Sequence, residues 1–220
     1  MRVILFGATG MIGQGVLREC LLDSEVAQVL SIGRSATGQQ DAKVREIVHN
    51  DFSDLTPVKG ELAGYDACFF CLGVSAVGMT EAEYERVTYG YVVTTAEALV
   101  KLNPGMTFEY ISGAGTDSTE QGRVMWARVK GKTENALLRM AFKSSYMLRP
   151  GYIQPMHGIR SKTGWYQAVY TVLSPLYPAM KAIFPKYVTT TEQLGRAMIA
   201  VAKKGAKKRV LEVRDINEIG

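Results

Sequence analysis

The stretch Val3-Ile4-Leu5-Phe6-Gly7-Ala8-Thr9-Gly10-Met11-Ile12-Gly13 decides the fold. The apolar run reads as a buried strand, the glycines as a tight turn, and the amphipathic run Met11 to Leu22 as a helix. The Gly7-x-x-Gly10-x-x-Gly13 spacing gives each glycine its own task. Gly7 lets the chain turn sharply as it leaves the strand, at φ values that cost other residues more. Gly10 has no Cβ, so a pyrophosphate can approach the backbone, and Gly13 lets the helix pack close to the sheet. The helix then opens with free N–H groups and its positive dipole end toward the phosphates. Strand, glycine turn and helix in this order make the first half of a dinucleotide-binding βαβ unit.

The chain around that unit has 220 residues, 47% of them hydrophobic, enough for one sizeable core. No Ser/Gly/Pro linker, low-complexity run or repeat divides it. A single domain over residues 1–220 is expected, with 152–188 as a small lid or substrate-side subregion. The net charge of +5 is mild: it allows an anionic small molecule and does not require nucleic acid. The run Lys203-Lys204-Gly205-Ala206-Lys207-Lys208-Arg209 reads as a solvated helix end and turn before the last strand, in preference to a nucleic-acid site. Met1-Arg2 leads straight into the first strand, so no export segment is expected, and no uncharged stretch is long enough for a membrane span. Three cysteines argue against a disulfide framework and fit a reducing compartment, so a cytoplasmic location is expected. Cys68-Phe69-Phe70-Cys71 is formally C-x-x-C, but in an extended chain its thiols point to opposite faces, so no metal is expected there.

The rest alternates strand and helix, which predicts a doubly wound α/β fold with a parallel sheet and helices on both faces. Ala27 to Ile32 reads as the second strand, ending at Gly33-Arg34-Ser35. An acidic residue at that end would hold the adenosine ribose hydroxyls; Arg34 and Ser35 instead favour NADP, because a guanidinium pairs with a 2′-phosphate. Lys43 to His49 is the third strand, with Val44, Ile47 and Val48 as its apolar members. In the turn that follows, Asp51 can accept from an adenine amino group with Phe52 against the ring, or the turn can simply cap a short helix. Asp66 to Cys71 is a strand buried on both faces, ending at Leu72-Gly73, where a glycine lets the backbone pass close to the cofactor. Thr80 to Leu102 is a long helix opened by a Thr80/Glu83 capping box, with Tyr84, Val87, Tyr91 and Ala98 as its packed face. Met106 to Ile111 is the fifth strand, Gly122 to Phe142 the next helix, Ser145 to Leu148 the sixth strand, and Arg149-Pro150-Gly151-Tyr152 its exit. Gly164 to Pro185 is rich in aromatics and prolines; it reads as short helices covering the sheet end, as a substrate lid, or as a membrane-surface or partner patch. Thr189 to Glu192 caps a last helix to Lys204, and Arg209 to Val213 closes the sheet.

These motifs resemble the short-chain dehydrogenase/reductase superfamily, in its atypical and extended branches, and most of all the small TIP30/CC3-like proteins. The resemblance rests on Gly7, Gly10 and Gly13, the Asp51-Phe52 turn, Leu72-Gly73, Ser112 after the fifth strand, Lys130 in the following helix, and Arg149-Pro150-Gly151. It adds Thr9, Met11, Ile12, Lys130, Pro150 and Gly151 to the expected cofactor-binding positions, and it implies a homodimer through the helices holding Tyr91 and Lys130. The superfamily uses Tyr-x-x-x-Lys on one helix face, the lysine binding the nicotinamide ribose and lowering the pKa of a tyrosine that acts as general acid or base. Here Lys130 stands in the lysine position and Trp126 in the tyrosine position. An indole N–H is a donor only and exchanges no proton. The expected catalytic set is therefore Lys130 and Ser112, with Tyr152 or His157 as substitute acids. Two function classes follow: an NADP-dependent oxidoreductase or epimerase-like enzyme with a non-standard proton donor, or an NADP(H)-responsive binding and regulatory protein.

Overall fold

The computed structural model describes residues 1–159 and 177–220. Seven strands form one wholly parallel sheet: β1 Arg2–Phe6, β2 Gln28–Gly33, β3 Val44–Val48, β4 Ala67–Phe70, β5 Thr107–Ile111, β6 Ser144–Arg149 and β9 Val210–Glu212, in the order β3-β2-β1-β4-β5-β6-β9. Between the last two in sequence, β7 Tyr152–Gln154 and β8 Val188–Thr190 pair in parallel as a separate two-stranded ribbon. The helices are α1 Met11–Leu22, α2 Glu81–Glu85, a π-helical segment Arg86–Gly90, α3 Tyr91–Leu102, α4 Met125–Arg139, α5 Tyr177–Ile183, α6 Thr191–Lys204 and α7 Val213–Ile219, with a 3₁₀ turn at Thr56–Glu61. This is the expected doubly wound α/β architecture.

Alternation along β1 shows why the strands read as continuous apolar runs. Val3 and Leu5 face a layer built with α1 and α6, whereas Ile4 and Phe6 face a layer built with α3 and α4. A parallel sheet covered on both faces has no solvent side, so every position is apolar. The same alternation sends Cys71 toward the first layer and Cys68 into the second, as the extended reading of C-x-x-C requires.

Four expected elements are corrected. Val48, read as an apolar member of β3, is 57% exposed, because β3 is the sheet's edge. The helix expected over Gly122 to Phe142 is shorter. The Asp117 carboxylate takes the N–H groups of Thr119 and Gly122, holding that stretch as a turn, and beyond Met140 the chain turns extended so that Phe142 reaches Phe108, ring centroids 5.1 Å apart. The closing strand ends at Glu212, and Val213 begins α7, whose capping box pairs Glu212 with Asp215. The buried face of the 81–102 helix is Tyr84, Thr88, Val92, Ala96 and Leu99 instead of Tyr84, Val87, Tyr91 and Ala98. The π-helical segment adds one residue to a turn, so every downstream position moves by one.

Two expected caps are present. Thr80 and Glu83 form the capping box, and the Thr190 hydroxyl accepts from the Gln193 N–H at 2.9 Å to open α6. The basic run ending α6 is engaged in part: Lys203 pairs with Asp23 at 2.8 Å and Glu25 at 2.7 Å, and Lys208 with Asp215 at 2.9 Å.

Candidate active site

The glycine turn is locked by backbone contacts. Gly7 adopts φ +82°, and a Cβ there would lie 2.7 Å from the Leu72 nitrogen. A Cβ on Gly13 would lie 2.0 Å from the Gly7 carbonyl oxygen. Only glycine permits these approaches, which bring the exits of β1 and β4 against the first turn of α1. Gly10 differs: a Cβ there would meet nothing nearer than the Gly7 oxygen at 3.4 Å. Among the described residues no side chain caps α1, and its first turn holds no acidic residue. Thr9 offers its carbonyl to the Gln14 amide at 3.1 Å, and Met11 and Ile12 pack their side chains onto the α1-side core. An uncapped helix N-terminus behind an open glycine suits the phosphates of a dinucleotide, so the residues present fit that group.

At the end of β2, Arg34 and Ser35 are exposed, and no partner among the described residues pairs with the Arg34 guanidinium. The one carboxylate that β3 brings toward this loop is already engaged: Glu46 accepts from the Thr37 N–H at 2.7 Å and the Thr37 hydroxyl at 2.5 Å. Asp51 is exposed and takes the Ser53 N–H at 2.9 Å, and the Ser53 hydroxyl bond holds its carboxyl below the usual range. The Phe52 ring departs from expectation. It is buried against Phe6 and Tyr91, both at 6.0 Å between centroids, so it anchors the turn from inside the core and cannot lie against an adenine. Leu72 is half-buried, and Gly73 is exposed with open space where a Cβ would stand.

The exits of β5 and β6 meet α4 a few residues away. Ser112 is buried, and its hydroxyl donates to the Leu148 carbonyl at 3.2 Å, which turns it into the sheet. Its carbonyl accepts from the Lys130 ammonium. A Cβ on Gly113, at φ +146°, would sit 3.9 Å from Lys130 Nζ and 4.0 Å from the Pro150 oxygen. The Ala114 N–H donates to Pro150 at 2.8 Å, tying the two loops together. Ser112, Lys130 and Pro150 are thus brought together. Burial pulls the Lys130 ammonium down to about 8, against the opposing pull of Glu134 one turn along α4. Glu134 is itself buried and gripped by Arg149, at 3.0 Å from Nε and 2.5 Å from Nη2. Trp126 lies one turn before Lys130, and its Cη2 would be 3.6 Å from a Cβ on Gly115. The Glu134–Arg149 pair was not anticipated, although its signal, an acid four residues after Lys130 on one helix face, was in the sequence.

Two expected catalytic residues are engaged elsewhere. His157 adopts φ +56° and its Nε2 lies 2.8 Å from Glu192 Oε2, with Glu192 also pairing Arg196 at 2.5 Å. That network belongs to the α1/α6 layer, on the face of the sheet opposite α4. The Tyr152 hydroxyl donates to Gln154 Oε1 at 3.0 Å within β7. Gly151 serves chain packing, since a Cβ there would lie 2.5 Å from the Tyr187 oxygen. Residues 164–176 of the aromatic stretch lie outside the described residues.

The fold has counterparts among solved structures. No family model matches the chain. The structure superposes on the PhqB reductase domain from Penicillium fellutanum with a TM-score of 0.70 at 16% identity, covering 96% of this chain and 66% of that one. It superposes on the dTDP-glucose 4,6-dehydratase DesIV from Streptomyces venezuelae, solved with NAD and TYD, with a TM-score of 0.69 at 16% identity, covering 100% and 80%. The fold is the one seen in short-chain dehydrogenases/reductases. Among curated proteins the chain is 31% identical to FMP52-2 of Scheffersomyces stipitis, over 68% of this chain and 65% of that one. It is 29% identical to HTATIP2 of Rattus norvegicus, over 69% of this chain and 62% of that one. The match thus spans slightly less than two thirds of the length of either relative. These proteins are what the chain is similar to. They also overturn the expected cytoplasmic location: the relatives from Scheffersomyces stipitis, Meyerozyma guilliermondii and Aspergillus terreus are named as mitochondrial proteins. No helix among the described residues is long and apolar enough to cross a membrane.

Proposed function

We propose that this protein binds NADP(H) and acts as a reductase or epimerase-like enzyme on a small carbonyl or alcohol substrate. The observation that carries the reading is the uncapped N-terminus of α1, held behind Gly10 by the contacts of Gly7 and Gly13. Thr9, Gly10, Met11 and Ile12 would supply the phosphate-binding backbone, and Leu72, Gly73, Pro150 and Gly151 the walls along the strand ends. Arg34 and Ser35 would hold the adenosine 2′-phosphate, which the engagement of Glu46 by Thr37 favours over an NAD-type ribose contact. Asp51 would accept from the adenine amino group, and Lys130 would hold the nicotinamide ribose. When bound, the cofactor would supply the hydride.

A second reading has its own observation. Trp126, one turn before Lys130, carries no ionisable group, which favours a protein that binds NADP(H) as a regulator and turns nothing over.

Calorimetric titration of NADPH, NADP⁺, NADH and NAD⁺ into the wild type and Arg34→Ala tests the cofactor assignment. The phosphorylated forms should bind at least about tenfold tighter, equivalent to about 1.4 kcal/mol, and Arg34→Ala should abolish the difference. Equal affinities in the wild type would remove the NADP preference; absence of binding by all four would remove both readings.

A further inference from the structure

Resting on the enzyme reading, we propose that Lys130 itself gives the proton to the substrate oxygen. Among the described residues, five other candidate donors are engaged or misplaced. The Ser112 hydroxyl is turned into Leu148, the Thr116 hydroxyl donates to Gly113 at 2.7 Å, and the Tyr152 hydroxyl donates to Gln154. His157 is paired with Glu192 in the opposite layer, and Trp126 has no proton to exchange.

Lys130 is placed for the task. One of its three N–H groups goes to the Ser112 carbonyl, and the side it presents toward Gly113 has no side chain in the way. Among the described residues no carboxylate bonds to it. Glu134, one turn along, is held by Arg149 of β6, which also reaches Glu212 of β9 at 3.3 Å. From α2, Glu81 is paired with Arg128 at 2.7 Å and Glu85 with Lys132 at 2.6 Å, so neither of these charges is left uncompensated toward the site. Partial desolvation weakens the ammonium's hold on its proton and brings it into the range where a general acid works near neutral pH.

The step balances as follows. The carbonyl carbon accepts hydride from the reduced nicotinamide, and the π pair moves onto oxygen. That oxygen takes a proton from Lys130 Nζ. The carbonyl is reduced to an alcohol, NADPH is oxidised to NADP⁺, and the neutral amine regains a proton from water.

The test compares wild type, Lys130→Arg, and Lys130→Arg combined with Trp126→Tyr. An arginine keeps the positive charge but cannot give up its proton in this range. Three quantities are read: NADPH affinity by calorimetry, reduction of 9,10-phenanthrenequinone, and the ¹³C-dimethyl-lysine NMR titration of wild-type Lys130, assigned by its loss in Lys130→Arg. With NADPH held at saturation for each variant, Lys130→Arg should reduce the quinone at least about a hundredfold more slowly than the wild type. Adding Trp126→Tyr should recover at least about tenfold by supplying a phenol. The Lys130 resonance should titrate with a midpoint near 8, and the wild-type rate should fall above it. Unimpaired reduction by Lys130→Arg overturns the proposal, as does a Lys130 midpoint in the ordinary lysine range or a wild type that binds NADPH and reduces nothing. A wild type that fails to bind NADPH overturns the cofactor reading itself, whatever the NMR midpoint.

Discussion

Glu109 sits in the middle of β5, opposite Phe69 on one neighbouring strand and Tyr146 on the other. It is fully buried, and among the described residues neither of its carboxylate oxygens has a hydrogen-bond partner. Strand alternation explains the placement: Phe108 and Tyr110 face the α3/α4 layer, so Glu109 must face the other. An unpaired charge there would be costly, and burial pushes the carboxyl well above its ordinary value, so the folded protein holds the neutral acid. The sign of the pH effect follows. A carboxyl raised on folding contributes stability that is fully present below its unfolded pKa, about 4.3, and lost as pH rises through the folded value. Glu109→Gln cannot ionise. The difference in unfolding free energy between Glu109→Gln and wild type should therefore grow by about 1.4 kcal/mol per pH unit above that point until the folded pKa is reached. Urea midpoints of both proteins from pH 5 to 8 measure it; a constant difference would mean that a water or a rearrangement satisfies the carboxylate. The same burial raises the thiols of Cys20, Cys68 and Cys71, which accounts for three cysteines that act as small apolar fillers.

At the scale of the element, the 81–102 helix separates what a sequence pattern encodes from what it does not. The capping box at Thr80 and Glu83 is local, carried by two residues three apart, and it is present as read. The buried face is not local beyond one turn. A pure 3.6-residue period places Tyr84, Val87, Tyr91 and Ala98 together, and the π-helical turn moves each later position on by one. Both sets are apolar enough to pass, so hydropathy does not choose between them. If the π turn is one inserted residue, deleting Val87 should convert it to regular helix while keeping Thr88, Val92, Ala96 and Leu99 inward. Deleting Ala98 instead would rotate the last turn and carry Leu99, now fully buried, off its packed face. The first deletion should cost about 1 kcal/mol, or about 2–4 °C in thermal midpoint for a chain this size, and the second about 2–5 kcal/mol, the range for losing a buried leucine. Thermal scans by circular dichroism distinguish them; equal losses would show that the π turn itself is required, the Thr88 carbonyl lying 3.3 Å from a Thr133 hydroxyl that also reaches the Val129 carbonyl at 2.8 Å.

For the whole molecule, the glycine turn was legible because it is a constraint written in residue type and spacing, a Cβ excluded by backbone, whereas Lys130 entered only through the resemblance to short-chain dehydrogenases/reductases. His157 was misread for a different reason. Chain position after β6 does not say which face of the sheet the ribbon of β7 and β8 will join, and it joins the α1/α6 layer. Phe52 failed likewise, since an aromatic beside a binding turn can serve the core as readily as the ligand. What remains is whether the turn is a rigid joint of the fold or a ligand cradle, and the glycines separate these roles. Gly13→Ala drives a Cβ to 2.0 Å from the Gly7 oxygen and should lower the thermal midpoint of the unliganded protein, overpacking of this kind costing about 1–3 kcal/mol or more. Gly10→Ala meets only one atom, at 3.4 Å, in an ordinary extended conformation, and should leave that midpoint within about 2 °C. With NADPH at a hundred times its Kd, the wild type should gain about 2.7 kcal/mol, roughly 5–11 °C, whereas Gly10→Ala should lose most of that gain because its methyl occupies the approach to the helix N-terminus. Differential scanning fluorimetry of the three proteins with and without NADPH reads both effects at once. A Gly10→Ala protein that keeps the full ligand shift would place the phosphates elsewhere and leave Gly7 and Gly13 as packing devices alone.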